Sequence, residues 1–309
     1  IGDLRSWASP AEFDDGVTLL TTVIREQIGH SGKLGMMMGR ETSIRMPLVD
    51  LQTLQNLLEN VEFLDMTADV QKIRMIKSPA EQKKLMHVCK IVSDVFTSLP
   101  EWTFAGMPLN ELFRRFKIKA LESGIDDVSY LVGGAGPNGY QDIIAPPNNH
   151  PLLNGDVFML DTGCLWDGYF SDFNRNFAIH HAHDTAKDAH QKLFDATEAA
   201  LEILKPGITA ADLFFVMDRE LRPNQSSQNT GDSVGRYGHG MGIQLTEPPS
   251  HTDWDQTIIE TGMAITLEPS INYGDGLTMV TEENLLIVDD GFVLLSTRAS
   301  RDLPIIVSL

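Results

Sequence analysis

The chain has 309 residues, 42% of them apolar and 22% charged, the balance of an ordinary globular protein with length enough for two domains. Its formal charge of −19, from 43 acidic against 24 basic residues, repels phosphate backbones and anionic lipid, which argues against nucleic acid and membrane surfaces as partners. There is no run of about 18 apolar residues and no signal-like segment, and two cysteines, Cys89 and Cys164, are too few for a disulfide framework, so a soluble protein of a reducing cytoplasm is expected.

The chain opens on Ile1 rather than methionine, as a processed or partial product would. Ser9-Pro10 then reads as a helix start, with Gly29 as its stop. A strand is expected over Lys33 to Met38, a helix over Pro47 to Glu59 and a second strand over Val61 to Met66. This α/β segment, residues 1–74, has no cluster of ionisable groups at ligand spacing and is assigned to scaffolding or assembly.

A second domain is expected over residues 75–309, because Ser78 and Pro79 start a helix with Glu81 placed for a capping box. Helical periodicity runs from Pro79 to about Leu99, from Leu109 to Ser123 with Gly124 as a stop, from Thr185 to Leu204 and from Thr209 to Leu221. Strands are expected over Val157 to Thr162, Tyr169 to Ile179, Met263 to Tyr273 and Leu277 to Val288. The pattern is that of an α+β domain with helices packed on an antiparallel sheet.

Two hairpins carry the candidate chemistry. Asp167-Gly168 is a two-residue turn signal, which pairs Trp166 with Tyr169 and, stepping outward, Gly163 with Asp172. Asp161 lies two positions from Gly163 and on the same face, so Asp161 and Asp172 become diagonal neighbours able to reach one ion. In the second hairpin a three-residue loop centred on Asp275, with Gly276 left-handed, sets Glu268 directly opposite Glu282. Facing carboxylates in low dielectric need a proton or a cation between them. His239, flanked by Gly238 and Gly240, can approach other backbone closely and leave its imidazole unobstructed. Hard oxygen donors and one imidazole suit manganese, cobalt, iron or zinc, and four carboxylates carry charge enough to hold two divalent ions.

The order Asp161, Asp172, Gly238-His239-Gly240, Glu268-Pro269 and Glu282 resembles the metallopeptidase family M24, the "pita-bread" fold of prolidase, aminopeptidase P, methionine aminopeptidase and the metal-free creatinase. The match runs from about Ile76 to Gly291, with Ser171-Asp172 and Arg175, Lys205-Pro206-Gly207 and Asp289-Asp290-Gly291 in support. The resemblance implies a pita-bread catalytic domain preceded by the later part of a creatinase-type N-terminal domain, and a homodimer. It implies that Asp172 and Glu282 bridge two metals, Asp161 chelates one and His239 with Glu268 completes the other. A bridging water would be the nucleophile and Glu268 the catalytic base. All five ligand positions are filled, which disfavours both creatinase-like metal loss and a non-catalytic binding module.

Family peptidases usually carry two further histidines that touch substrate. Thr246 stands at one of those places, and Ile143 or Ile144 at the other, with His150 a few residues later. The leading expectation is an Xaa-Pro peptidase acting on small peptides. The alternative is a hydrolase of a cyclic amidine or amide, of the kind that acts on ectoine or creatine, with Asp142 or Glu247 meeting a cationic substrate group.

Overall fold

The structure, a computed structural model, describes residues 2–223 and 235–307. The chain divides into two compact units, Ile1–Ile73 and Arg74–Leu309. No helix among the described residues is long and apolar enough to cross a membrane.

The first unit begins with α1 (Val17–Ile28), β1 (Lys33–Met36), α2 (Leu48–Leu57) and β2 (Glu62–Asp65), followed in the chain by α3 (Thr67–Met75). The strands β1 and β2 pair in parallel, and Val17, Ile24, Leu54, Leu58 and Val61 form the small core. The expected helix start at Ser9-Pro10 is displaced: α1 begins at Val17, after Gly16 in the left-handed region at φ 94°. The physical reason lies in Asp14, whose carboxylate accepts the otherwise free Thr18 N–H at 3.0 Å and so holds the first turn there. The helix α3 follows a stretch expected only as strand; Asp65 accepts the Thr67 N–H at 2.9 Å and turns the chain into it.

In the second unit α4 (Pro79–Trp102) starts as its sequence requires: Ser78 Oγ accepts the Glu81 N–H at 3.4 Å and Glu81 accepts the Ser78 N–H at 2.7 Å. Its buried positions, Leu85, Val88, Cys89, Val92, Phe96 and Leu99, recur at helical spacing. α5 (Leu109–Glu122) packs beside it. There follow β3 (Asp127–Val132), β4 (Ala135–Pro137), β5 (Asp156–Trp166), β6 (Tyr169–Phe170) and β7 (Phe173–Ile179), then α6 (Asp184–Ile203) and α7 (Ala210–Leu221). The remainder is β8 (His239–Gly240), β9 (Glu247–Ser250), β10 (Ala264–Leu267), β11 (Ser270–Asn272), β12 (Thr278–Val280), β13 (Glu283–Val288), β14 (Gly291–Leu294) and β15 (Ile305–Ile306).

One sheet has the order β15-β7-β5-β3, with β4 and β6 also on β5; another has the order β14-β13-β10-β8-β9. Pairing within them is antiparallel except between β15 and β7. Nine successive residues of β5 are buried, because the strand is covered on both faces. Phe158 and Leu160 join the cluster of α4 and α5, whereas Val157 and Met159 join that of α6 and α7. Each such fully buried side chain contributes about 1.5–3 kcal/mol. The helices thus sandwich strands whose ends carry the polar residues described next.

Candidate metal centre

The first hairpin turns at Asp167 and Gly168, both left-handed at φ 45° and 81°, the geometry a two-residue hairpin loop demands. Trp166 pairs with Tyr169 and Leu165 with Phe170, and beyond the break Thr162 pairs with Phe173 and Asp161 with Asn174. One register persists throughout and sets Gly163 opposite Asp172, with Asp161 diagonal to it. The strand itself is interrupted at Ser171-Asp172, between β6 and β7.

The second hairpin behaves alike. Gly274, Asp275 and Gly276 are all left-handed, and the pairs Ser270–Val280 and Leu267–Glu283 keep one register on either side of Glu268 and Glu282. These two glutamates therefore face each other in the gap between the β10–β13 and β11–β12 ladders. His239 comes from β8, wedged between β9 and β10. Only glycine fits beside it: a Cβ on Gly238 would stand 2.3 Å from the Thr266 carbonyl oxygen, and one on Gly240 2.1 Å from that of Pro248.

The imidazole is oriented. Its Nδ1–H donates to the Gly240 carbonyl at 2.9 Å, which leaves Nε2 as a lone pair 3.5 Å from Asp172 Oδ2 and 4.0 Å from Glu282 Oε1. Asp172, His239 and Glu282 together offer donor atoms within 4.8 Å of one another. Asp161 Oδ1 and Glu282 Oε1 are buried with no hydrogen-bond partner. Unpaired carboxylate oxygens are costly in an interior, and a cation is the partner that such a donor set fits.

The same crowding moves the acidities. Burial, then the neighbouring Glu268, pushes Asp161 up to about 8; burial pushes Glu268 up to about 7. Asp172 and Glu282 are raised well above the carboxylate range by burial and by the other acids. Burial pulls His239 down to about 3, so its imidazole is neutral at physiological pH and free to ligate.

The four carboxylates and His239 open on a cavity of about 460 Å³, whose other walls include Tyr130, Ile143, Ile144, Arg236, Leu245 and Thr246. A larger cavity of about 660 Å³ in the first unit, lined by residues such as Trp7, Leu20 and Met46, holds none of the site residues.

The remaining candidates separate. Thr246 lines the cavity and accepts a hydrogen bond from Arg236 at 3.4 Å. Asp142 is exposed and accepts the Ile144 N–H at 2.9 Å, closing a turn rather than lining the cavity. His150 sits 2.7 Å from Asp156 through Nε2 and likewise stays off the cavity wall. Glu247, expected at a cationic substrate group, is instead buried: Arg74 donates to one oxygen and Lys77, 3.0 Å away and also buried, donates to the other. Two cations therefore satisfy it, and it holds in place the loop that carries Leu245 and Thr246.

The model of metallopeptidase family M24 matches residues 83–290. The chain belongs to this family. It is 27% identical over 241 residues to an uncharacterized peptidase of Bacillus subtilis, covering 76% of this chain and 65% of that protein's length. It is 30% identical over 267 residues to the Xaa-Pro dipeptidase of Lactobacillus helveticus, covering 82% of this chain and 69% of that one. The crystal structure of a recombinant prolidase from Thermococcus sibiricus superposes with a TM-score of 0.86 at 24% identity, over 99% of this chain and 80% of that one. The fold is the M24 pita-bread fold.

Within this M24 fold, several neighbours of the site escaped the sequence reading. Tyr130 reaches the cavity from β3, whose pairing with β5 crosses more than thirty residues of chain and leaves no local signal. Arg236, three residues before His239, could have been noticed as a cation beside the Gly238-His239-Gly240 turn. Asn284, two residues beyond Glu282 and on the same strand face, was visible by alternation.

Proposed function

We propose that this chain is a metal-dependent hydrolase that cleaves Xaa-Pro bonds in small peptides. The single observation that carries the metal-dependent reading is the pair of orphaned oxygens, Asp161 Oδ1 and Glu282 Oε1, beside a neutral His239 on the cavity wall; the Xaa-Pro class follows from the similarity to the Lactobacillus helveticus dipeptidase. Asp161, Asp172, His239, Glu268 and Glu282 are the groups that would hold two divalent ions. Manganese is the first candidate, ahead of cobalt, iron or zinc, because four of the five donors are hard oxygens. Bound divalent cations would supply Lewis acidity to a water and to the scissile carbonyl.

The chain's own residues perform the proton work. Glu268 lines the cavity, where its carboxylate faces the space that water and substrate would share. It takes a proton from the attacking water as the new C–O bond forms. It then delivers that proton to the departing nitrogen as the C–N bond breaks, giving an acid and an amine. Ile143 and Leu245 give the cavity an apolar wall on one side, and Arg236 brings a cation toward an anionic substrate group. The family resemblance further supports a homodimer, and the two free, buried cysteines fit a reducing cytoplasm.

A second reading is kept because Thr246, Ile143 and Ile144 all line the cavity where peptidase relatives hold substrate-touching histidines. On this reading the substrate is a small cyclic amidine or amide. A metal-reconstituted screen of Xaa-Pro dipeptides, longer Xaa-Pro peptides and cyclic amidines such as ectoine separates the two. Elemental analysis of the same sample should find about two ions per chain. Saturation with manganese, cobalt, iron and zinc that leaves the protein metal-free sinks both readings.

A further inference from the structure

Asn284 lies on β13, two residues after Glu282, and is fully buried. Its side-chain Oδ1 accepts the backbone N–H of Asp172 at 2.9 Å, and its Nδ2 donates to the backbone carbonyl of the same residue. The Cys89 thiol donates to that Oδ1 at 3.3 Å. Ser171 N–H bonds to the Cys164 carbonyl at 2.9 Å, so alternation along this antiparallel pair turns the N–H and C=O of Asp172 away from β5. Asn284 receives both. One amide thus replaces the missing neighbouring strand at the point where β6 and β7 part. It also ties the chain at Asp172 to β13, the strand that begins directly after Glu282.

We propose that Asn284 is a positioning residue that presets the Asp172 carboxylate against His239 and Glu282 before any ion arrives. The affinity of the site for divalent cations then depends on this amide. The inference rests on the assignment of Asp172 as a metal ligand. Without Asn284 the two polar groups of the Asp172 backbone would be buried and unpaired, and the peptide would turn to find other partners, taking its carboxylate with it.

Calorimetric titration of the metal-free protein with Mn2+ tests this. Asn284→Leu, close in shape but without polar atoms, should weaken Mn2+ binding by about 10–100-fold. Asn176→Leu serves as the structural control, because Asn176 bridges the same region by donating to the Val280 carbonyl at 2.6 Å and accepting from the Tyr140 hydroxyl at 2.7 Å, neither of which belongs to a proposed ligand. It should lower the melting temperature and leave Mn2+ affinity unchanged. If Asn284→Leu behaves like that control, the proposal is overturned. Wild-type protein that binds no Mn2+ overturns the metal-ligand assignment itself, which is distinct from wild-type binding matched by the variant. Should Asn284→Leu fail to fold, hydrogen exchange on the metal-free wild type decides: the Asp172 amide should be protected, and free exchange there would overturn the idea.

Discussion

The Nε2 of His239 stands 3.5 Å from Asp172 Oδ2, with Glu282 Oε1 at 4.0 Å. Metal–ligand bonds of about 2.0–2.2 Å bring the donors of one ion to roughly this separation, whereas a hydrogen bond would draw them closer. The groups are gathered without being bonded to one another, and their acidities record it.

Stability of the metal-free protein should therefore fall as pH rises from about 7 to about 8.5. Asp161, raised to about 8, keeps in the folded state a proton that the unfolded chain releases near 4. Its contribution is complete below pH 4 and disappears as pH climbs through 8, costing about 1 kcal/mol over that upper window, and Asp172 and Glu282 act in the same direction. His239, lowered to about 3, works oppositely: its contribution is complete above about 6.5 and fades as pH drops toward 3. Urea melts of chelator-treated protein at the two ends of the window check this. A midpoint that is flat or rising across it contradicts the assignment of the raised carboxylates.

Glu268→Gln should retain the fold and reduce turnover by about 10²–10⁴-fold, because an amide cannot accept the water's proton. Metal content is measured on the same sample, since the amide is also a poorer ligand. A fully metallated variant with normal turnover would remove Glu268 as the base.

Thr246→His distinguishes the two substrate classes. Thr246 shares the cavity wall with Glu268, and a threonine hydroxyl cannot become cationic. In an Xaa-Pro peptidase, an imidazole there should raise turnover by polarising the carbonyl. In a site shaped for a small ring, peptide turnover should stay negligible and the true reaction should slow. Robust wild-type Xaa-Pro hydrolysis that is indifferent to Thr246→Ala would show that the position matters little.

Lys77→Met should lower the melting temperature and raise KM more than it lowers kcat. Lys77 and Glu247 are both buried and 3.0 Å apart, and removing one partner leaves the other charge short of a cation. Glu247 also accepts the Gln244 N–H at 3.2 Å, so the loop presenting Leu245 and Thr246 should loosen with it. Adding Glu247→Gln should recover part of the loss. An unchanged melting curve for the single variant would show the pair to be idle.

Much of the hairpin geometry was legible because it is local. Asp167-Gly168 and Gly274-Asp275-Gly276 each specify a turn, and a turn fixes the register of every later pair, which is how Asp161 and Asp172, and Glu268 and Glu282, could be matched from spacing alone. The capping box at Ser78-Pro79 was legible for the same reason, whereas the similar Ser9-Pro10 failed because Asp14 and Gly16 downstream compete for the start.

The sequence by itself determined which residue types could meet in each hairpin, since alternation and turn chemistry act over a dozen residues. Only the tertiary structure decided what lies between the hairpins. Asn284 clasps the backbone of Asp172 across 112 positions, and Lys77 reaches Glu247 across 170. Local backbone preference carries no information over such distances. Whether a carboxylate there meets a cation, a metal or water depends on which surfaces hydrophobic burial brings together, and burial rewards the apolar area removed from water without regard to separation along the chain.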